Sequence, residues 1–198
     1  MKKIMFSDIF GLTEAVLSGR KTMTRRVIKG DYVKIAHLEH EGSFIGKTAS
    51  GDSVILPQPA YNVGEEVAIA QSYKTLRWPA LPGIDWKAIT DEVTHSKGWT
   101  NKMFVKAKYM PHRIRITKTK LERLQDISDE DAMCEGIRQS VVEYGDKKIV
   151  QWTYFGEKIT TWFDSPREAF AALIDRISGR GTWERNPWVF AYDFELVK

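Results

Sequence analysis

At 198 residues, with 42% hydrophobic, 28% charged and 12% aromatic residues, the chain reads as a single globular domain and is excluded from the disordered and fibrous classes. A lone cysteine, Cys134, rules out an internal disulfide and fits a reducing cytoplasm. The N-terminal MKKIMFSDIF lacks the apolar core of a secretory signal, and no run approaches the ~18 apolar residues of a membrane helix, so a soluble protein is expected. The formal net charge of +4 is modest, but its placement is uneven. Arg20, Lys21, Arg25, Arg26 and Lys29 form one basic cluster, and Lys106, Lys108, His112, Arg113, Arg115, Lys118 and Lys120 form another. Such runs mark a polyanion site or a solvated strand face. Seven tryptophans exceed ordinary packing needs and favour a ligand site mildly.

In chain order, Ile9, Leu12, Ala15 and Val16 predict a helix over residues 8–18, ending at Gly19. TMTRRVI then reads as a strand, as do VILPQPA and, after the Asn62-Val63-Gly64 turn, EEVAIAQSY. Residues 76–103 carry Pro79, Pro82, Gly83 and Gly98 around Trp78, Trp86 and Trp99, and are expected to be a long irregular excursion. HRIRITKTKLERL alternates like a strand. Ser128 with Asp131 caps a helix through DAMCEGI, and Asp129, Glu130 and Asp131 suit the positive end of its dipole. Ser165-Pro166-Arg167-Glu168 opens an amphipathic helix through Phe170, Leu173 and Ile174 that stops at Gly179. NPWVFAYDFELV closes the chain as a strand with an aromatic face formed by Trp188, Phe190, Tyr192 and Phe194.

Three segments carry candidate chemistry. GRKTMTRR places an ammonium (Lys21), two hydroxyls (Thr22, Thr24) and two guanidiniums (Arg25, Arg26) just beyond a helix end. It is either a basic turn entering a strand or a nucleophile with its base. A lysine neutralised by burial takes a proton from a hydroxyl, and the spacing from Lys21 to Thr24 then requires a bend near Met23. Glu135 is a solvated helix acid or a proton carrier. Trp183 and Trp188 are core or base-stacking rings, with packing the simpler role. Four histidines (His37, His40, His95, His112) without metal-ligand spacing, and the absence of CxxC, P-loop, GxGxxG and GxSxG patterns, predict no metal and no cofactor.

VLSGRKTMTRRVIK, YNVGEEVAIA, the LQDISDEDAMCEGI block and AFAALIDRISGRGTWERNPWVFAYDFE together resemble the ASCH family in its prophage-associated, bacterial form. The resemblance implies an α+β fold: a PUA-like β-barrel with about three flanking helices, spanning residues 1–198, with insertions near 76–103 and 138–164. It also implies binding of RNA or a nucleoside. A small bacterial member hydrolyses N4-acetylcytidine, and its catalytic lysine, threonine and glutamate match Lys21, Thr24 and Glu135. In that scheme Thr24 attacks the acetyl carbonyl, Lys21 takes its proton, Glu135 serves the leaving amine or positions the nucleophile, and Arg26 holds an oxyanion or a phosphate. This chain departs from the family where EEVAIAQSY lacks the tryptophan and Arg-Glu pair usual after the VG turn.

Two further expectations stand beside the hydrolase. In one, a non-catalytic RNA-binding module grips phosphates through Arg20, Arg25, Arg26 and the Lys106–Lys120 stretch that includes Arg113, with a ribonuclease variant in which Lys21 and Glu135 act on the 2′-hydroxyl. In the other, a phage accessory protein docks a protein partner through an exposed patch of Trp78, Trp86 and Trp99. Substrate and oligomeric state leave no mark in the sequence.

Overall fold

The computed structural model describes residues 1–38, 43–56, 58–76, 85–144, 147–155 and 161–197. β1 (Lys3–Ile4) runs into a turn that α1 (Leu12–Leu17) leaves only after Gly11. Gly11 has φ 60°, a left-handed conformation that glycine adopts without steric cost, so the helix begins three to four residues later than its apolar spacing suggests. Gly19, φ 75°, ends it as expected and turns the chain into β2 (Met23–Val27). An antiparallel meander, β3 (Lys34–Leu38), β4 (Ser43–Lys47) and β5 (Ser53–Leu56), follows, and then β6 (Glu66–Ile69).

The excursion over residues 76–103 is not irregular throughout. It contains α2 (Trp86–Thr94) and two 3-10 turns, Lys97–Trp99 and Lys102–Phe104. Val93 of α2 packs with Tyr73, Val105, Tyr109 and Met110 in a small core of its own. Trp99 is half-buried against that cluster, whereas Trp78 and the Trp86 side chain lie outside the described residues, as does His40. The partner-docking patch therefore has no described exposed tryptophan at its centre.

β7 (Arg113–Arg123) leads to α3 (Asp129–Cys134), where Ser128 accepts a hydrogen bond from the Asp131 amide at 3.1 Å, the cap read from sequence. β8 (Arg138–Tyr144) and β9 (Lys147–Thr153) form a hairpin. α4 (Pro166–Ser178), capped by Ser165, is followed by the short α5 (Thr182–Arg185) and by β10 (Trp188–Val197). The chain is thus mixed α+β, with five α-helices among the described residues instead of about three. α2 and α5 are the additions.

The main sheet runs β1-β6-β7-β10-β2, with β1 parallel to β6 and the other pairs antiparallel. β1 and β2 stand at its two edges and do not pair with each other among the described residues. Across that gap, Arg26 Nη2 of β2 donates to the Met5 carbonyl just beyond β1 at 2.9 Å. The core beneath the sheet is filled by Ile69, Ile114, Ile116 and Tyr192, with Phe170 and Leu173 from α4. Each such side chain contributes roughly 1.5–3 kcal/mol by leaving water. α4 packs on α3, α5 and β9, so it forms a wall beside the open end of the sheet.

Candidate functional site

A cavity of about 320 Å³ opens where the two unpaired edges of the sheet approach each other. One side is polar, built from Ser7, Lys21, Thr24, Arg25, Arg26 and Glu135. The opposite side is apolar and comes mainly from α4, through Phe170, Leu173, Ile174 and Ile177. A cleft of this size, mostly apolar with a few convergent polar groups, is the usual form of a small-molecule site.

The backbone places Lys21 in this wall. Beyond α1 the Lys21 amide donates back to the Ala15 carbonyl at 2.9 Å, and the Thr22 amide donates to the Cys134 carbonyl at the end of α3, also at 2.9 Å. These bonds hold the basic turn against α3 before β2 begins at Met23. On the α3 side, Glu135 caps the helix and Gly136 turns the chain with φ 104°. A Cβ on Gly136 would make only ordinary contacts, 3.6 Å from the Lys21 Cβ and 3.4 Å from Leu12 Cδ2, so it is the positive φ that calls for glycine here.

Lys21 is 2% exposed and Glu135 is 4% exposed. Lys21 Nζ donates to Glu135 Oε2 at 2.5 Å and to the Glu135 main-chain carbonyl at 2.7 Å. Burial pushes the Lys21 ammonium below the ordinary lysine range; Glu135 opposes that shift, while Arg26 and Arg25 add to it. A lysine displaced in this direction is closer to serving as a base than one in water. Thr24, also buried, lies on the same cavity wall, paired in register with Tyr192 of β10.

Arg25 turns into the protein. Its side chain is 0% exposed, and its fork reaches three carboxylates: Glu122 Oε1 at 2.7 Å, Asp131 Oδ2 at 2.7 Å and Glu135 Oε1 at 3.4 Å. Burial opposes its charge, but Glu135 and Glu122 outweigh it and hold the guanidinium more firmly protonated than usual. Arg26 differs. It lines the cavity, forms no ion pair among the described residues, and has a buried Nε without a hydrogen-bond partner there. Its guanidinium lies 5.9 Å from the centre of the Phe6 ring.

No family model, curated protein or solved structure matches this chain. The site therefore stands on its own geometry.

Of the residues singled out in the sequence, Lys21, Thr24, Arg25, Arg26 and Glu135 converge on the cavity. The others do not line it. Arg20 pairs with Glu14 at 3.0 Å on the surface, and Thr22 contributes its main-chain bond to Cys134. Arg113 lies on β7 beside Glu66, 3.6 Å away. Trp183 packs edge-on against Phe170 beneath the Arg167 guanidinium, the packing role. Trp188 donates from Nε1 to the Tyr32 carbonyl at 2.9 Å and carries Arg123 over its ring.

Sequence reasoning missed Glu122 and the α4 wall. Asp131 reads in sequence as a capping-box and helix-dipole acid, yet its side chain also grips Arg25. Among the described residues no group of three His, Cys, Asp or Glu side chains is arranged to hold a metal.

Proposed function

We propose that this chain is an ASCH-type, PUA-like protein that holds a modified nucleoside in the cavity and hydrolyses an amide such as N4-acetylcytidine. The observation that carries the reading is the buried 2.5 Å Lys21–Glu135 pair beside Thr24 in one cavity. A proton passed from Lys21 to Glu135 leaves the amine with a lone pair. That lone pair takes the Thr24 hydroxyl proton as the oxygen attacks the acyl carbon. Arg26, the cavity cation without a carboxylate partner among the described residues, faces the charge that develops on the carbonyl oxygen. Collapse breaks the C–N bond, with the departing amine receiving a proton from the Lys21–Glu135 pair. Water then cleaves the threonyl ester, and the acid and free hydroxyl are restored. The apolar α4 wall limits the water around these steps. The main sheet is open among the described residues, so the PUA-like part of the proposal rests on the sequence resemblance.

The test is deacetylation of N4-acetylcytidine by the purified protein, followed by mass spectrometry, with Thr24→Ala and Lys21→Ala alongside. Wild-type turnover that falls at least about 100-fold in both variants is the expected result. An unaffected Thr24→Ala enzyme would remove the nucleophile assignment.

The phosphate-gripping reading is weaker on this geometry. Arg25 is buried among carboxylates, and Arg20, Arg113 and Arg115 are each ion-paired at the surface. If RNA is nevertheless the ligand, affinity falls steeply with salt as counterions are released.

A further inference from the structure

The Glu135 carboxylate is divided between two cations. Its Oε2 faces Lys21 Nζ at 2.5 Å, and its Oε1 faces Arg25 Nη1 at 3.4 Å. Arg25 does not touch Lys21's amine through any hydrogen bond, and its own nitrogens are anchored elsewhere. Nε donates to Glu122 Oε1 of β7 at 2.9 Å, Nη2 donates to Asp131 Oδ2 of α3 at 2.7 Å, and Nη1 also meets Met23 Sδ at 3.0 Å. Glu122 and Asp131 reach only Arg25, not the amine. The guanidinium thus ties β2, β7 and α3 together behind Glu135.

This arrangement answers a problem that the paired amine raises. When Lys21 passes its proton to Glu135 the ion pair is lost, and a carboxyl group held by Lys21 alone would turn away. A planar fork bonded on several edges holds its partner without relying on that attraction. We propose that Arg25 is a positioning residue: by holding Oε1 of Glu135 it keeps Oε2 directed at Lys21 in both protonation states of the amine. The groups that bear on Lys21 are Glu135 from the end of α3, and Arg25 and Arg26 from β2, with the Phe6 ring 5.9 Å away. α4 contributes no titratable side chain to the cavity. The consequence for turnover rests on the hydrolase reading; the consequence for Lys21 does not.

The experiment is a titration of Lys21 in protein labelled at lysine Cε with 13C, read by NMR, in wild type and in Arg25→Gln. Without the fork Glu135 Oε2 swings off the amine, and because Glu135 raises the Lys21 value more than Arg25 lowers it, the Lys21 midpoint falls by about one unit. Should Arg25→Gln fail to fold, the Arg25→Met/Glu122→Gln pair removes a carboxylate with its partner and carries the same expectation. In parallel, Arg25→Lys keeps the charge but loses the fork. Its kcat on N4-acetylcytidine falls roughly 10- to 100-fold while KM stays within about threefold, the pattern of a displaced reacting group. An unmoved Lys21 midpoint in a folded variant, or a raised one, the result of losing the charge alone, overturns the inference. Absence of turnover in wild type overturns the hydrolase reading and leaves the titration to decide the role of Arg25.

Discussion

Arg25 and Arg115 stand on β2 and β7 of one sheet, separated by β10, and each gathers carboxylates from neighbouring elements. Arg115 meets Glu66 at 3.0 Å and Glu195 at 3.1 Å, distances close to those that Arg25 makes with Glu122 and Asp131. The difference is the medium. The Arg115 side chain is 45% exposed and its partners are exposed or half-exposed, whereas the Arg25 side chain is enclosed and its partners are largely covered. Water screens the first cluster almost completely, and each pair within it contributes little to folding. In the second, every charge depends on the others, because burial leaves their attractions little screened. Similar contact lists therefore describe a decorated surface in one place and an interdependent unit in the other.

The largest expected break in this comparison is Arg25→Ala. It strands Glu122, Asp131 and Glu135 without their shared cation, and urea denaturation should show a loss of about 3–5 kcal/mol. A smaller effect distinguishes the clusters by pH. The folded Lys21 value lies below the ordinary lysine value of 10.5. Between those two points the unfolded chain binds the extra proton, so stability rises as pH climbs through that window. Lys21→Met should flatten the rise measured by thermal melts on the alkaline side. Glu66 gives a slope of the same sign in an acid window: the hydrogen bond from Arg115 holds its carboxyl below the usual 4.5. Its slight contribution is present above that value and is lost as pH falls through the folded one. The smallest effect is that of Arg115→Ala, which should leave the melting temperature within about 1 °C of wild type, at low salt and in 0.5 M salt alike. A drop comparable to that of Arg25→Ala would show that exposure is not what separates the two clusters.

The sequence carried the elements whose signals are local. The Ser165 cap, the proline after it and the apolar stripe through Phe170 and Leu173 specify α4 within a few turns of chain. Alternation likewise marks β7 and β10. The β8–β9 hairpin left no such pattern, because Val141 and Val142 are adjacent, point to opposite faces and are both exposed, the former by 52%. With no buried face, nothing enforces a period of two. α2 was hidden by the prolines and glycine around positions 79–83, which punctuate the chain only before the helix begins. In the site, Lys21, Thr24 and Glu135 were legible as chemistry, and a resemblance joined them. The engagement of Arg25 by Glu122 was not, because that contact spans 97 residues and depends on the register of β2 and β7 against β10. The α4 wall was equally silent. A buried leucine on a helix looks the same in sequence whether it faces a core or a cavity.

One main-chain bond described above, from the Thr22 amide to the Cys134 carbonyl, closes a very long loop. Lys21 and Glu135 are separated by 114 residues, and the β3–β5 meander and α2 with its small separate core all lie between them. The entropy of bringing the ends of such a loop together grows only with the logarithm of its length, roughly 0.6 kcal/mol for each doubling. Lengthening or trimming the excursions inside it therefore changes the cost of joining Lys21 to Glu135 hardly at all. A chain built in this way tolerates large changes in the length of those excursions while the separation of its two buried charges stays the same.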